Sequence, residues 1–218
     1  MSEISVKELR ESPRTPGRYL VVLSNQQQCI VGIDALADTG ATRVGAVLDI
    51  ARLERLLYAG AVTALVDRAL NYLARGRRTR RELELRLRHV KPGKTIPDVT
   101  MIAVALDRLE ANGVLSDDDV AKAEASARLR RGEAPARVRQ MLRRKGVGAR
   151  SVDAAILEAV ELDGFDELSA CRAQAEKRWR SLSALEPTVA RRRLMGFLQR
   201  RGFSGEVVRA IVRDLERR

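Results

Sequence analysis

Beyond residue 60 the apolar residues of this chain recur every three or four positions, the period of helices that bury one face. Val62, Leu65, Val66, Ala69, Leu70 and Leu73 make the first stripe. Leu83 and Leu87 mark a second, over Thr79 to Val90, with Thr79 and Glu82 at capping-box spacing. Ile102, Leu106 and Leu109 mark a third, from Asp98 to Glu110, stopped by Gly113. A helix from Asp117 to Arg131 follows, carrying Val120, Ala121 and Leu129. Pro135 opens the next, with Val138, Met141 and Leu142, and Gly146 ends it. Val152, Ala155, Ile156, Ala159 and Val160 mark the sixth. The last three stripes are Leu168, Cys171, Ala175 and Trp179; Leu194, Phe197 and Leu198; and Val208, Ile211, Val212 and Leu215. Pro97, Pro135 and Pro187 all fall at helix starts, where a missing N–H costs nothing.

The first 60 residues follow another pattern. Residues 1–17 are polar and end in Pro13 and Pro16, which reads as a flexible arm. Arg18–Leu23 and Cys29–Ile33 are rich in β-branched residues and flank the polar stretch Ser24–Gln28, predicting a hairpin. From Asp49 to Tyr58 the positions Ile50, Leu53, Leu56 and Leu57 return to helical spacing. The expected class is mainly α with a small N-terminal β segment. The predicted divisions are an arm (1–17), a β-containing segment (18–60) and three helical units (61–116, 117–163 and 164–218).

The helices recur in threes. Leu142-Arg143-Arg144-Lys145-Gly146-Val147 matches Leu198-Gln199-Arg200-Arg201-Gly202-Phe203 at a fixed offset. At that offset Arg137 and Val138 meet Arg193 and Leu194, and Val152 meets Val208. In the first unit Leu83 and Leu87 correspond to Val138 and Leu142. A three-helix unit this small buries little alone, whereas tandem copies share a core. The prediction is three tandem three-helix repeats in an elongated, curved stack.

Charge changes the picture from scaffold to partner. The chain has 41 basic and 29 acidic residues among 218, a net charge of +12. The first 60 residues are balanced, so the whole excess lies on the helical units. Such an excess points to a polyanionic partner, usually nucleic acid. With Val138, Met141 and Leu142 turned inward, Arg139 and Arg143 lie on one flank of their helix, and Arg137 and Arg144 on the other. Arg193 and Arg200 repeat the second pair, with Arg201 beside them. The segment from Arg75 to Arg81 adds five arginines, Arg75, Arg77, Arg78, Arg80 and Arg81, and Arg88 closes the helix behind it. Arginine pairs with phosphate or carboxylate through a planar fork, and phosphate contacts are salt-sensitive and indifferent to sequence. Arg137, Arg144, Arg193 and Arg200 are the set whose reversal to Glu is expected to abolish binding.

Other chemistry is poorly served. Asp117-Asp118-Asp119 sits at a helix start, where acidic side chains cap the helix and complement its dipole, without calcium-loop spacing. His89 is the sole histidine and ends a basic helix. Cys29 falls in a strand and Cys171 on an apolar stripe, so both read as core residues. There is no glycine-rich phosphate loop with a lysine and no frame of paired catalytic acids. Aromatic residues, at 3%, are too few for a base-stacking sheet. No apolar run nears the roughly 20 residues of a membrane span. Two cysteines cannot build a disulfide framework and fit a reducing cytoplasm. A non-enzymatic, cytoplasmic protein without metal or cofactor is expected.

Several motifs then resemble the RecX family. Its Ala-x-x-Tyr-Leu start corresponds to Ala69-Leu70-Asn71-Tyr72-Leu73, and its Ser/Thr-Arg-x-Glu-Leu helix to Thr79-Arg80-Arg81-Glu82-Leu83. Leu109 to Asp118 matches its Leu-x-x-x-Gly-Leu-Leu-Asp-Asp junction, and Leu142 to Val147 its Leu-x-x-Lys-Gly-Val element. The closing Phe-Leu-x-Arg-Arg-Gly-Phe-Ser stands whole at Phe197 to Ser204. The departures are Val120 in place of an aromatic, Gln140 in place of a glutamate, and a Pro- and Gly-rich stretch at Lys91–Pro97. The resemblance covers residues 62–218. It implies a monomeric regulator that binds the filament of the RecA recombinase on single- or double-stranded DNA and usually damps its activity, with no catalytic residues. The alternative left by the charge alone is a stand-alone basic helical nucleic-acid-binding protein without a recombinase partner.

Overall fold

The computed structural model describes residues 3–13, 15–89 and 96–217. Most of the Lys91–Pro97 stretch therefore lies outside the described residues, as do Val90 and Arg14. The chain divides into two compact units, Met1–Leu115 and Ser116–Arg218.

The first unit begins with strand β1 (Ile4–Glu11), followed by β2 (Arg18–Leu23), β3 (Gln28–Gly32), helix α1 (Ile33–Thr39) and the two-residue β4 (Val47–Leu48). The strands form an antiparallel sheet in the order β3-β2-β1-β4, with a bulge between Val6 and Glu8. The segment expected to be a flexible arm is thus mostly a strand paired on both sides. Val6 supplies its anchor, buried with Val21, Leu23 and Val31 in the core of the sheet. The expected hairpin is present as β2–β3 inside this larger sheet, and α1 is an element the apolar pattern did not predict.

Helix α2 (Ile50–Leu73) is one continuous helix of 24 residues, capped by Asp49. It joins two stripes that the sequence separates, and the boundary drawn at residue 60 falls inside it. Its first half covers the sheet with Leu53, Leu56 and Leu57. Its second half packs Val62, Leu65, Val66 and Ala69 against α3 (Arg80–Arg88) and α4 (Val99–Ala111). Gly60 makes the crossing possible: a Cβ there would lie 2.5 Å from the Cβ of Cys29 on β3. Gly60→Ala should lower stability by about 1–2 kcal/mol, a steric cost of roughly 1–3 kcal/mol less the helix preference of Ala over Gly. A thermal melt checks this, and an unchanged midpoint would contradict it.

Cys171 is fully buried, and burial, helped by the charge of Glu167, pushes its thiol up to about 11. Native Cys171 is therefore expected to resist alkylation at pH 8 and to react only in denaturant; rapid labelling of the folded protein would refute that.

The second unit comprises α5 (Asp117–Leu129), α6 (Pro135–Arg144), α7 (Ala149–Asp163), α8 (Glu167–Arg180), α9 (Pro187–Arg200) and α10 (Gly205–Glu216). Each trio has its own core. Leu129, Val138, Leu142, Val152 and Ile156 fill the first, and Cys171, Leu194, Leu198, Val208 and Ile211 fill the second. The repeat holds in detail at the ends of α6 and α9. Val147 N–H donates to the Leu142 carbonyl and Phe203 N–H to the Leu198 carbonyl. Gly146 (φ 91°) and Gly202 (φ 85°) take the left-handed conformation in both turns. The two trios are joined through Ala134, which is buried in the core of the second.

Candidate nucleic-acid interface

The register of α6 and α9 decides where their arginines point. Val138 and Leu142 are fully buried, as are Leu194 and Leu198 at the equivalent places. The remaining faces carry the charge, and Arg137, Arg143, Arg144, Arg193 and Arg200 are all exposed. Arginine in the last turn also complements the carbonyl end of the helix dipole.

Exposure does not mean availability, and the structure sorts the arginines by what they already hold. Arg80 makes ion pairs with Asp107 at 2.7 Å and Glu110 at 2.6 Å, fastening α3 to α4. Burial opposes its charge, but the hydrogen bonds and charges of Asp107 and Glu110 outweigh it and raise its pKa. Arg139 donates to Asp153 on α7 at 2.8 Å and holds that carboxyl below the usual range. Arg88 pairs with Glu84 one turn earlier. Arg78 keeps its Nε buried and unbonded.

Arg137, which the sequence groups with Arg144, Arg193 and Arg200, is partly engaged: its Nη1 donates to the Arg200 carbonyl at 2.9 Å. Its Nε also lies 3.7 Å from the Glu133 carboxylate. Arg137 therefore clips the first trio of this unit to the second, and its backbone is the surface against which Gly202 closes.

Arg77, Arg81, Arg143, Arg144, Arg193 and Arg200 remain. All are exposed, and among the described residues none forms an ion pair. Arg75, the first arginine of the 75–81 segment, shares this state, as does Arg192, which a run of arginines gives no signal to single out. Arg201 stacks instead: its guanidinium lies 5.1 Å from the ring centroid of Phe197, and that of Arg178 on α8 lies 5.6 Å from it. Arg178 was missed because nothing local links it to a ring on another helix. Of these unpaired forks, Arg144 and Arg200 stand at corresponding places on α6 and α9.

The pattern defines a tandem three-helix-repeat protein with unpaired arginines on the middle helices. Residues 166–212 match the family model described as RecX, third three-helix domain. A protein of Halorhodospira halophila named Regulatory protein RecX is 37% identical over 155 residues, covering 70% of this chain and 89% of that protein. The chain belongs to the RecX family, a family of regulatory proteins. The Regulatory protein RecX of Chlorobaculum tepidum is 34% identical over 155 residues, covering 71% of this chain and 89% of the relative. The fold matches a crystal structure of regulatory protein RecX with a TM-score of 0.74 at 20% identity, over 95% of this chain and 98% of that one. That of RecX from Lactobacillus salivarius gives 0.55 at 21% identity, over 72% and 97%. Among the described residues no helix is long and apolar enough to cross a membrane, and no group of three His, Cys, Asp or Glu side chains is placed to hold a metal.

Proposed function

We propose that this protein binds the RecA–DNA filament as a monomer in the cytoplasm and damps its recombinase, ATPase and co-protease activities. Membership in a family of regulatory proteins supports a regulatory role, and the motif resemblance supplies the partner. The observation that carries the reading is the recurrence of exposed, unpaired arginines on equivalent helices: Arg143 and Arg144 on α6, Arg193 and Arg200 on α9. Two like-charged patches on repeated elements suit a ligand that itself repeats its charge, such as a phosphate backbone or a filament.

The test is a titration of the purified protein into RecA assembled on single-stranded DNA. ATP hydrolysis and strand exchange are expected to fall with added protein; unchanged rates at saturating protein would reject the proposal. A pull-down after nuclease digestion identifies the partner. RecA retained without DNA supports the filament reading, whereas RecA lost with the DNA supports a stand-alone nucleic-acid binder.

A further inference from the structure

The N-terminal unit carries an open groove of about 730 Å³, within the range of binding sites for small groups. Asp34 and Asp38 of α1 line it, with Glu54, Arg55, Tyr58 and Thr63 of α2 and Arg108 of α4. The α1 helix runs antiparallel to α2. Gly40 at its end lies beside Arg52, while Gly32 at its start pairs with Arg18, which holds Asp67. The groove thus follows α2 for about 14 Å, from Glu54 to Thr63, at 1.5 Å per residue.

Two independent observations mark it as a site. The first is charge: in a chain with 41 basic residues, Asp34, Asp38 and Glu54 have no ion-pair partner among the described residues, and neither do Arg55 and Arg108. Opposite charges line one groove without meeting. The second is Thr63. It is only 5% exposed, yet its hydroxyl has no hydrogen-bond partner among the described residues. A helical threonine ordinarily donates to the carbonyl one turn back, as Thr39 does to Ala35 at 2.6 Å. The Thr63 oxygen is not sealed either, because Arg78 Nε is the one fully occluded, unbonded side-chain atom among the described residues. Thr63 lines the groove.

We infer that this groove is a docking site for a basic side chain, arginine or lysine, presented by a protein partner. Three carboxylates repel a phosphate backbone, so the groove does not extend the arginine surface described above. Carboxylates accept the forked donors of a guanidinium, the 39%-exposed Tyr58 ring offers it a face, and the Thr63 hydroxyl accepts a further N–H. Arg55 and Arg108, which also line the groove, suit acidic residues flanking that basic one. The segment recognised is therefore acidic–basic–acidic.

The experiment is an amide NMR titration of the full chain with the acetylated, amidated tripeptide Glu-Arg-Glu, and with the same peptide carrying neutral citrulline in place of arginine. Saturable shifts confined to α1 and residues 54–63 are expected, with citrulline at least tenfold weaker. The triple variant Asp34→Asn, Asp38→Asn, Glu54→Gln should weaken the arginine peptide at least tenfold, while Asp118→Asn with Asp119→Asn leaves it unchanged. Thr63→Val should raise the melting temperature and weaken binding severalfold, because it removes a hydroxyl that only the ligand satisfies; this arm reports even if the triple variant folds poorly. Equal shifts with citrulline, shifts centred elsewhere, or groove shifts with an oligonucleotide instead of the peptide would overturn the inference.

Discussion

Replacing Arg143, Arg144, Arg193 and Arg200 together by glutamate is expected to abolish binding to DNA and to the RecA filament. These four side chains are exposed, and among the described residues none forms an ion pair, although the charge of Arg143 helps Arg139 hold the Asp153 carboxyl down. Their reversal removes contacts without breaking ion pairs. Each lost phosphate contact lowers the slope of log affinity against log salt by about 0.9, and reversed charges add repulsion, so the affinity should fall on the order of 10³-fold or more. Glutamate at the end of a helix costs roughly 0.3–1 kcal/mol against the dipole, which Arg143 and Arg144 now complement. The melting temperature should therefore drop modestly while the helix content is kept. Arg137 is left out of this set because it donates to the Arg200 carbonyl across the two trios. Binding that survives in a variant with an intact circular dichroism spectrum would remove this surface from the mechanism.

Gly202→Ala should be the most damaging single change in the second unit. The position has φ 85°, and a Cβ would lie 2.8 Å from the backbone nitrogen of Arg137 and 2.9 Å from its Cβ. Both neighbours belong to the start of α6, so relief requires the two trios to move apart. Left-handed strain and overpacking together cost about 2–4 kcal/mol. In a unit of this size that is a fall of roughly 10 °C or more in melting temperature. Gly164→Ala separates the two causes. It is also left-handed, at φ 59°, but has nothing within 4 Å of the added Cβ, so it should cost only about 1–2 kcal/mol. Equal losses in the two variants would show that strain alone, not the junction, sets the effect. If the trios must keep their register to present Arg144 and Arg200 together, Gly202→Ala should also weaken filament binding at temperatures where it remains folded.

The sequence by itself determined the helical trios. Their evidence is local: a stripe such as Val152, Ala155, Ile156 and Ala159 is visible in a single window, and the repeated Gly146 and Gly202 mark the turns that a left-handed conformation needs. The exposed faces of α6 and α9, and the arginines on them, follow from the same local register. What it did not determine lies in contacts between distant residues. Strand β1 hides its single buried anchor, Val6, among charged neighbours, and only pairing with β2 and β4 makes it a strand. The Ala59-Gly60-Ala61 step looks like a gap between helices until Cys29 is seen beneath it. Likewise, an arginine paired four residues away, such as Arg88 with Glu84, leaves a trace in sequence, whereas Arg80 with Asp107, Arg139 with Asp153 and Arg137 with a carbonyl 63 residues on leave none. Periodicity fixes which side of a helix is polar, but only the tertiary structure decides which charges on that side are neutralised within the chain and which are left for a partner.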